Sequence, residues 1–213
     1  MVAFTSMKLY ILSFVLVVFH LVGLFGMSND NAFAFFASLS WLNLLLTFVL
    51  FLISYEKIPS KLVLFFLLCF FTGMGFEWIG VHSGLVFGEY SYGTNLGWKL
   101  FGVPATIGLN WVLLTVSSAN VAAYTTKNAN LRPFLGACLM VVLDFFIEQL
   151  APNLDFWYWQ SGDIPLFNYM TWFFIGLGLQ WIYFKFKVFR HNLFSIILFI
   201  ILMFFFVILN VIL

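Results

Sequence analysis

Apolar residues run along this chain in stretches of about 20, the length a helix needs to cross the hydrocarbon core of a bilayer. The stretches fall near 9–26, 32–54, 61–80, 104–124, 133–151, 167–187 and 192–213. Each predicts a transmembrane helix. Ser28, Asn29, Asp30 and Asn31 follow the first stretch, Pro59 follows the second, Pro133 opens the fifth and Pro152 closes it, all residue types that end or start helices. No long polar interval separates the stretches. The expectation is therefore an all-α polytopic bundle of about seven transmembrane helices forming one membrane domain over residues 1–213. Two outer segments break the pattern. From Glu77 to Gly93, glycines 80, 84, 88 and 93 make the chain too interrupted for a helix, yet it is too apolar for a solvated loop. An interfacial or re-entrant segment over the mouth of a pocket is expected, since non-helical backbone at membrane depth needs protein or a water-filled cavity around it. Residues 155–172 form a second aromatic loop.

Composition strengthens the membrane assignment: of 213 residues, 64% are hydrophobic and only 8% charged, with a mean hydropathy of +1.08. Charge adds an orientation. Eight of the nine Lys and Arg (Lys8, Lys57, Lys61, Lys127, Arg132, Lys185, Lys187 and Arg190) fall on the amino-terminal side, leaving Lys99 alone on the other. By the positive-inside rule the amino terminus is cytoplasmic. The acids lean the opposite way, Glu56 excepted, so polar chemistry is expected in the outer half of the bilayer. No basic stripe exists that would bind nucleic acid. Cys69 and Cys138 lie in apolar runs without Cys or His at metal-ligand spacing and read as packing residues. The first apolar stretch ends without a small-residue cleavage site and is kept as a span.

Candidate chemistry centres on Glu77, Asp144 and Glu148, which sit inside or at the edge of apolar stretches. A charged side chain at the centre of a membrane helix costs roughly 2.5–3.5 kcal/mol on insertion scales. Three such groups predict an ion path, a proton relay or catalysis. Asp144 and Glu148 are four residues apart and share one helix face. Two carboxyls in one low-dielectric site cannot both ionise cheaply, which predicts a neutral acid beside a carboxylate. The plainer alternative has Glu148 reaching water at the helix end. Asn110 and Asn168 open their helices from the same side, and His20 lies in the outer half of the first span, so one site is able to gather them. Trp78, Tyr90, Tyr92 and Trp98 have an ordinary reading as an interfacial aromatic belt. Asp155 and Asp163 read as solvated loop acids, and His20 and His82 as hydrogen-bonded histidines. No metal site and no cofactor are expected.

The pieces Glu77-x-x-Gly-x-x-Ser-Gly-x-x-Phe-Gly-x-Tyr-x-Tyr, Lys99-Leu-Phe-Gly-Val-Pro104 and Asn110-Trp111 resemble the CruF-type carotenoid biosynthesis membrane proteins, the carotenoid 1,2-hydratases. Asp144-x-x-x-Glu148, Trp157-x-Trp159, Gly162-x-Ile-Pro165, Asn168-Tyr169 and Trp172 continue the likeness in order, giving a family-like core over about 73–175. Two positions depart from the expected pattern: Ser83 stands in place of Thr, and Glu148 with Pro152 in place of an Asp-Pro pair. The resemblance implies a cofactor-independent hydro-lyase in the plasma (inner) membrane of a prokaryote. It would add water to the C1–C2 double bond of an acyclic carotenoid such as lycopene or γ-carotene, giving a tertiary alcohol. Asp144 would then donate the proton, Glu77 would steady the cation or deprotonate water, and Glu148 and Asn110 would orient the reactants. Trp78, Tyr90, Tyr92, Trp111, Trp157, Trp159, Asn168 and Trp172 would bind the substrate. Other classes remain open at this point. A membrane lycopene cyclase would protonate the same end group, and a proton-coupled transporter would also use intramembrane acids. A prenyltransferase would want bases beside its acids, and the outer half offers only Lys99. A retinal receptor would need a lysine in the last span, where none stands.

Overall fold

The structure is a computed structural model that describes residues 2–213. Its described residues form eight helices: α1 (Val2–Met27), α2 (Phe33–Ser38), α3 (Ser40–Ser54), α4 (Ser60–Ser83), α5 (Ala105–Thr125), α6 (Arg132–Leu150), α7 (Leu166–Lys185) and α8 (Leu193–Ile212). Within α1 the part from Met7, and all of α4, α5, α6 and α8, are long and apolar enough to cross a membrane. The chain is an all-α membrane helix bundle, and exposed side chains such as Phe14, Phe25, Leu64, Phe71 and Phe204 cover its outside as lipid-facing surface. At 20 residues α7 matches these helices in length but carries Asn168, Thr171 and Gln180. With 15 residues, α3 is shorter than a full crossing.

All seven expected stretches are helical, with two corrections. The stretch 32–54 is broken into α2 and α3 at Leu39, whose φ of −88° and ψ of 3° leave the helical range. Ser38 and Ser40 flank the break and donate their hydroxyls to the carbonyls of Phe35 and Ala37, each at 2.7 Å, competing with the backbone ladder. The Trp41 amide then bonds the Asn95 carbonyl at 3.1 Å instead of continuing one helix. The second correction concerns residues 77–83, which continue α4 rather than leaving it. Gly80 stays helical because it lies under Phe87 and Tyr90, where a Cβ would come within 3.0 Å of both side chains. The helix ends at Gly84, a left-handed cap with φ of 66° that only glycine adopts without cost.

At the centre of the bundle, α5 touches α3, α4, α6, α7 and α8. It is the least apolar of the five long helices and the most enclosed, 72% buried over its apolar window against 22% for α1. Its small residues explain this, since Gly108, Ser117, Ser118, Ala119 and Ala122 let neighbouring backbones come close. With α4 the packing is reciprocal. The Trp111 ring of α5 sits on Gly73 of α4, and Phe70 and Met74 of α4 sit on Gly108 of α5. Pro59, Pro104 and Pro165 stand immediately before α4, α5 and α7, in extended conformation with φ already set for a helix start.

Over one end lie four short strands. Tyr90–Tyr92 (β1) pairs antiparallel with Trp157–Trp159 (β4), Tyr90 opposite Trp159 and Tyr92 opposite Trp157. Lys99–Leu100 (β2) and Val103–Pro104 (β3) form a hairpin closed by Phe101 and Gly102 at φ of 51° and 87°, the positive pair that a tight two-residue turn requires. The two aromatic loops expected from the sequence are thus one ribbon.

Candidate active site

Alternation along the ribbon builds the site. Successive strand residues point to opposite faces, so Tyr-Ser-Tyr and Trp-Tyr-Trp each send two rings down into the bundle and turn their middle residue, Ser91 or Tyr158, outward. Beneath β1, Glu77 is 4% exposed. Its Oε2 accepts from the Tyr90 hydroxyl at 2.5 Å and the Tyr92 hydroxyl at 2.7 Å, and its Oε1 accepts from Trp111 Nε1 at 3.3 Å. Burial first, and then the charge of Glu77, hold both phenols well above their ordinary titration range, so they remain donors. The belt reading of Tyr90 and Tyr92 is thereby corrected: their polar tips face the protein interior.

Beneath β4 the arrangement repeats with different chemistry. Glu148 Oε2 accepts from the indole N–H groups of Trp157 and Trp159, both at 2.9 Å, and Oε1 accepts from Asn168 Nδ2 at 2.8 Å. At 2% exposure Glu148 does not reach bulk solvent, which removes the alternative of an acid solvated at the helix end. One turn earlier on α6, Asp144 is 1% exposed and has a single long contact, 3.4 Å from Asn168 Nδ2. Glu77 and Glu148 are each held by three donors, the environment of an ionised carboxylate. Asp144 has one.

The ribbon is tied down by Asp155, which is more than a solvated acid. Its φ is 53°, its carboxylate accepts from the Thr94 amide at 2.8 Å, from the Thr94 hydroxyl and from the Tyr158 hydroxyl at 2.8 Å. Burial alone would raise its carboxyl, but these bonds and the charge of Lys99 outweigh it and hold it below the usual range. Gly93 lies against Asp155 with no room for a side chain. Lys99 donates to the Tyr92 carbonyl at 2.6 Å and so fixes β1 from behind.

Glu77, Asp144, Glu148, Asn110, Asn168, Tyr90, Tyr92, Trp157, Trp159 and Trp172 face one pocket of about 20 Å³. That is room for about one water molecule. Trp111 backs the pocket, stacked on Trp172 with ring centroids 4.1 Å apart. Asn110 contributes a wall without a hydrogen bond to any of the three acids. Trp78 falls outside the group: it is 48% exposed on the outer face of α4 and leans on His82. His20 falls outside as well, in a second, mainly apolar cavity of about 290 Å³ between α1, α2, α3, α5, α6 and α8. The two spaces share Ile107, Asn110, Ile147 and Trp157 as common wall. The sequence reading did not anticipate this cavity or the strand pairing. The period-two Tyr-x-Tyr and Trp-x-Trp patterns were the available signal for the strands. Among the described residues no three His, Cys, Asp or Glu side chains are grouped as metal ligands.

Comparison with known proteins gives the arrangement a family. Residues 36–213 match the carotenoid biosynthesis protein family. A stretch of 114 residues is 29% identical to the bisanhydrobacterioruberin hydratase of Haloarcula japonica, covering 48% of this chain and 38% of that protein. No solved structure matches.

Proposed function

The chain belongs to the carotenoid biosynthesis protein family, and from that premise we propose that it is a carotenoid 1,2-hydratase. It adds water to the C1–C2 double bond of an acyclic end group, on a carotenoid such as lycopene or γ-carotene, and needs no cofactor. The observation that carries this reading is the pairing of spaces: a carboxylate-lined pocket with room for one water lies against an apolar cavity sized for a hydrocarbon end group, with Ile107, Asn110, Ile147 and Trp157 as their common wall. The likeness to a protein named as a hydratase supports it.

Protonation of a trisubstituted alkene needs a neutral acid aimed at carbon and negative charge near the cation that forms. Asp144, with the fewest donors, gives its proton to C2, and the tertiary cation develops at C1. Glu148, fixed by two indoles and Asn168, stays ionised and stabilises that cation. Water attacks C1 while Glu77 takes its proton, giving the tertiary alcohol. The proton then returns from Glu77 to Asp144, so each turnover consumes one water and restores both acids. Asn168, within reach of both Asp144 and Glu148, positions them. Asn110, at the junction of the two spaces, orients the alkene and the water. The charge asymmetry supports a cytoplasmic amino terminus and a site in the outer half of the plasma membrane.

The test is pigment analysis of a lycopene-accumulating bacterial host expressing the chain. A product heavier than lycopene by one water per modified end is expected. A product of unchanged mass would identify a cyclase, and unaltered lycopene in membranes and in detergent would overturn the assignment.

A further inference from the structure

The 290 Å³ cavity is not apolar throughout. Most of its wall is Leu, Phe, Ile and Val, but α1 and α3 contribute His20, Asn43 and Thr47. His20 and Thr47 are 3% and 2% exposed, and the Oδ1 of Asn43 is buried with no hydrogen-bond partner. Such groups are costly inside a membrane domain unless something meets them. Nδ1 of His20 lies 2.8 Å from the Leu16 carbonyl. A carbonyl only accepts, so the neutral ring carries its proton on Nδ1 and keeps Nε2 as an acceptor. A half-turn of the Asn43 amide exchanges Oδ1 and Nδ2, so this side chain offers an acceptor or a donor. A hydroxyl satisfies every one of these demands, because it donates and accepts. A ketone only accepts, and a hydrocarbon does neither.

These polar groups stand on α1 and α3 and the three acids on α4 and α6, and the two spaces meet at Ile107, Asn110, Ile147 and Trp157. A chain end that leaves the carboxylates through this junction moves into a wall where its only new feature, a hydroxyl, finds partners. We propose that the cavity between α1, α3, α5 and α8 is a binding site for the tertiary-alcohol end of the product, with the hydroxyl held by Asn43 and His20. The end group goes in as an alkene and comes out as an alcohol through the same space. This inference rests on the hydratase reading of the acid pocket, but its test requires no hydration.

The probes are 2,6-dimethyloctan-2-ol and its parent hydrocarbon 2,6-dimethyloctane, both saturated, titrated against the purified full chain in detergent with thermal stabilisation as the readout. The alcohol is expected to bind about tenfold more tightly, the worth of one or two hydrogen bonds. Asn43→Leu and His20→Phe should each cut that preference to about twofold while the hydrocarbon still binds, and Glu148→Gln should leave it intact. Should Asn43→Leu fail to fold, His20→Phe reads the same quantity. Equal binding of alcohol and hydrocarbon, or a preference that survives both variants, overturns the proposal. So does a preference lost in Glu148→Gln, which would locate the hydroxyl at the acids. A chain that hydrates carotenoid yet shows no preference sinks this inference alone, and one with the preference but no hydration sinks the hydratase reading and, with it, the identity of the alcohol as product, leaving a hydroxyl-selective cavity.

Discussion

Glu77 and Glu148 occupy matching positions under the two strands of one ribbon, yet they are held by different chemistry. Each receives two aromatic donors on a single oxygen, from residues two apart on its strand. The donors on the Glu77 side are phenols, which both donate and accept, whereas those on the Glu148 side are indoles, which only donate. A carboxylate held by indoles can be fixed and charged but cannot exchange protons with its holders. One held by phenols can. Geometry alone makes the pair look symmetrical, and donor chemistry distinguishes them in the way the proposed mechanism requires, with Glu77 taking a proton and Glu148 remaining an anion.

The strongest test of that division is Asp144, which lies on the Glu148 side but lacks its donors. Asp144→Asn keeps the shape and removes the proton, and turnover should fall about 10²- to 10⁴-fold, the usual worth of a general acid. Carotenoid hydration by the purified variant measures this. A variant at the normal rate, alongside an inactive Glu148→Gln, would move the donor onto the indole-held residue and reverse the comparison. Next in size come the donors themselves. Tyr92→Phe should slow turnover roughly tenfold and change the solvent deuterium isotope effect, because it removes a group able to pass protons to and from Glu77. Trp159→Phe should slow it by a comparable or smaller factor with the isotope effect unchanged. Identical isotope effects in the two variants would show that phenol and indole serve only as hydrogen-bond donors.

Much of this was legible in the sequence. About twenty apolar residues per stretch suffice to mark the spans, because a bilayer imposes a length that soluble proteins do not share. The three acids also stood out, since buried charge is rare in membrane helices. The four-residue spacing of Asp144 and Glu148 fixed their common face. The cradle was harder to see. Tyr-Ser-Tyr and Trp-Tyr-Trp are too short to declare themselves strands, and only the antiparallel pairing of these distant segments, Tyr90 with Trp159 and Tyr92 with Trp157, turns their flanking rings into donors. Trp78 shows the reverse error. It follows Glu77 directly, and on a helix that adjacency turns it away from the pocket. The cavity at His20 and Asn43 had no local signature at all, because it is made by six helices that meet only in the folded chain.

The ribbon's dependence on Asp155 gives the smallest expected effect, and it bears on whether the two cradles are held as one. Asp155 sits two residues before Trp157, while its partner Thr94 sits two after Tyr92, so its carboxylate ties the Glu148 strand to the Glu77 strand at one edge. The folded protein holds this carboxyl below its ordinary range. A lowered value means that the ionised form contributes stability, fully present above about pH 4, where the unfolded chain's Asp titrates, and lost as pH falls through the folded value. Asp155→Asn keeps the size of the side chain but not its charge, and should cost roughly 1–2 °C of melting temperature near neutral pH. The gap between wild type and variant should close in acid, since protonation removes the same charge from the wild type. Melting curves followed by tryptophan fluorescence at several pH values measure it, with Trp157 and Trp159 as reporters of the ribbon. If the gap stays constant from neutral pH into acid, the charge of Asp155 is not what joins the strands. The indole and phenol cradles would then be independent, each held by its own helix, and changes in one should leave the other's hydrogen bonds in place.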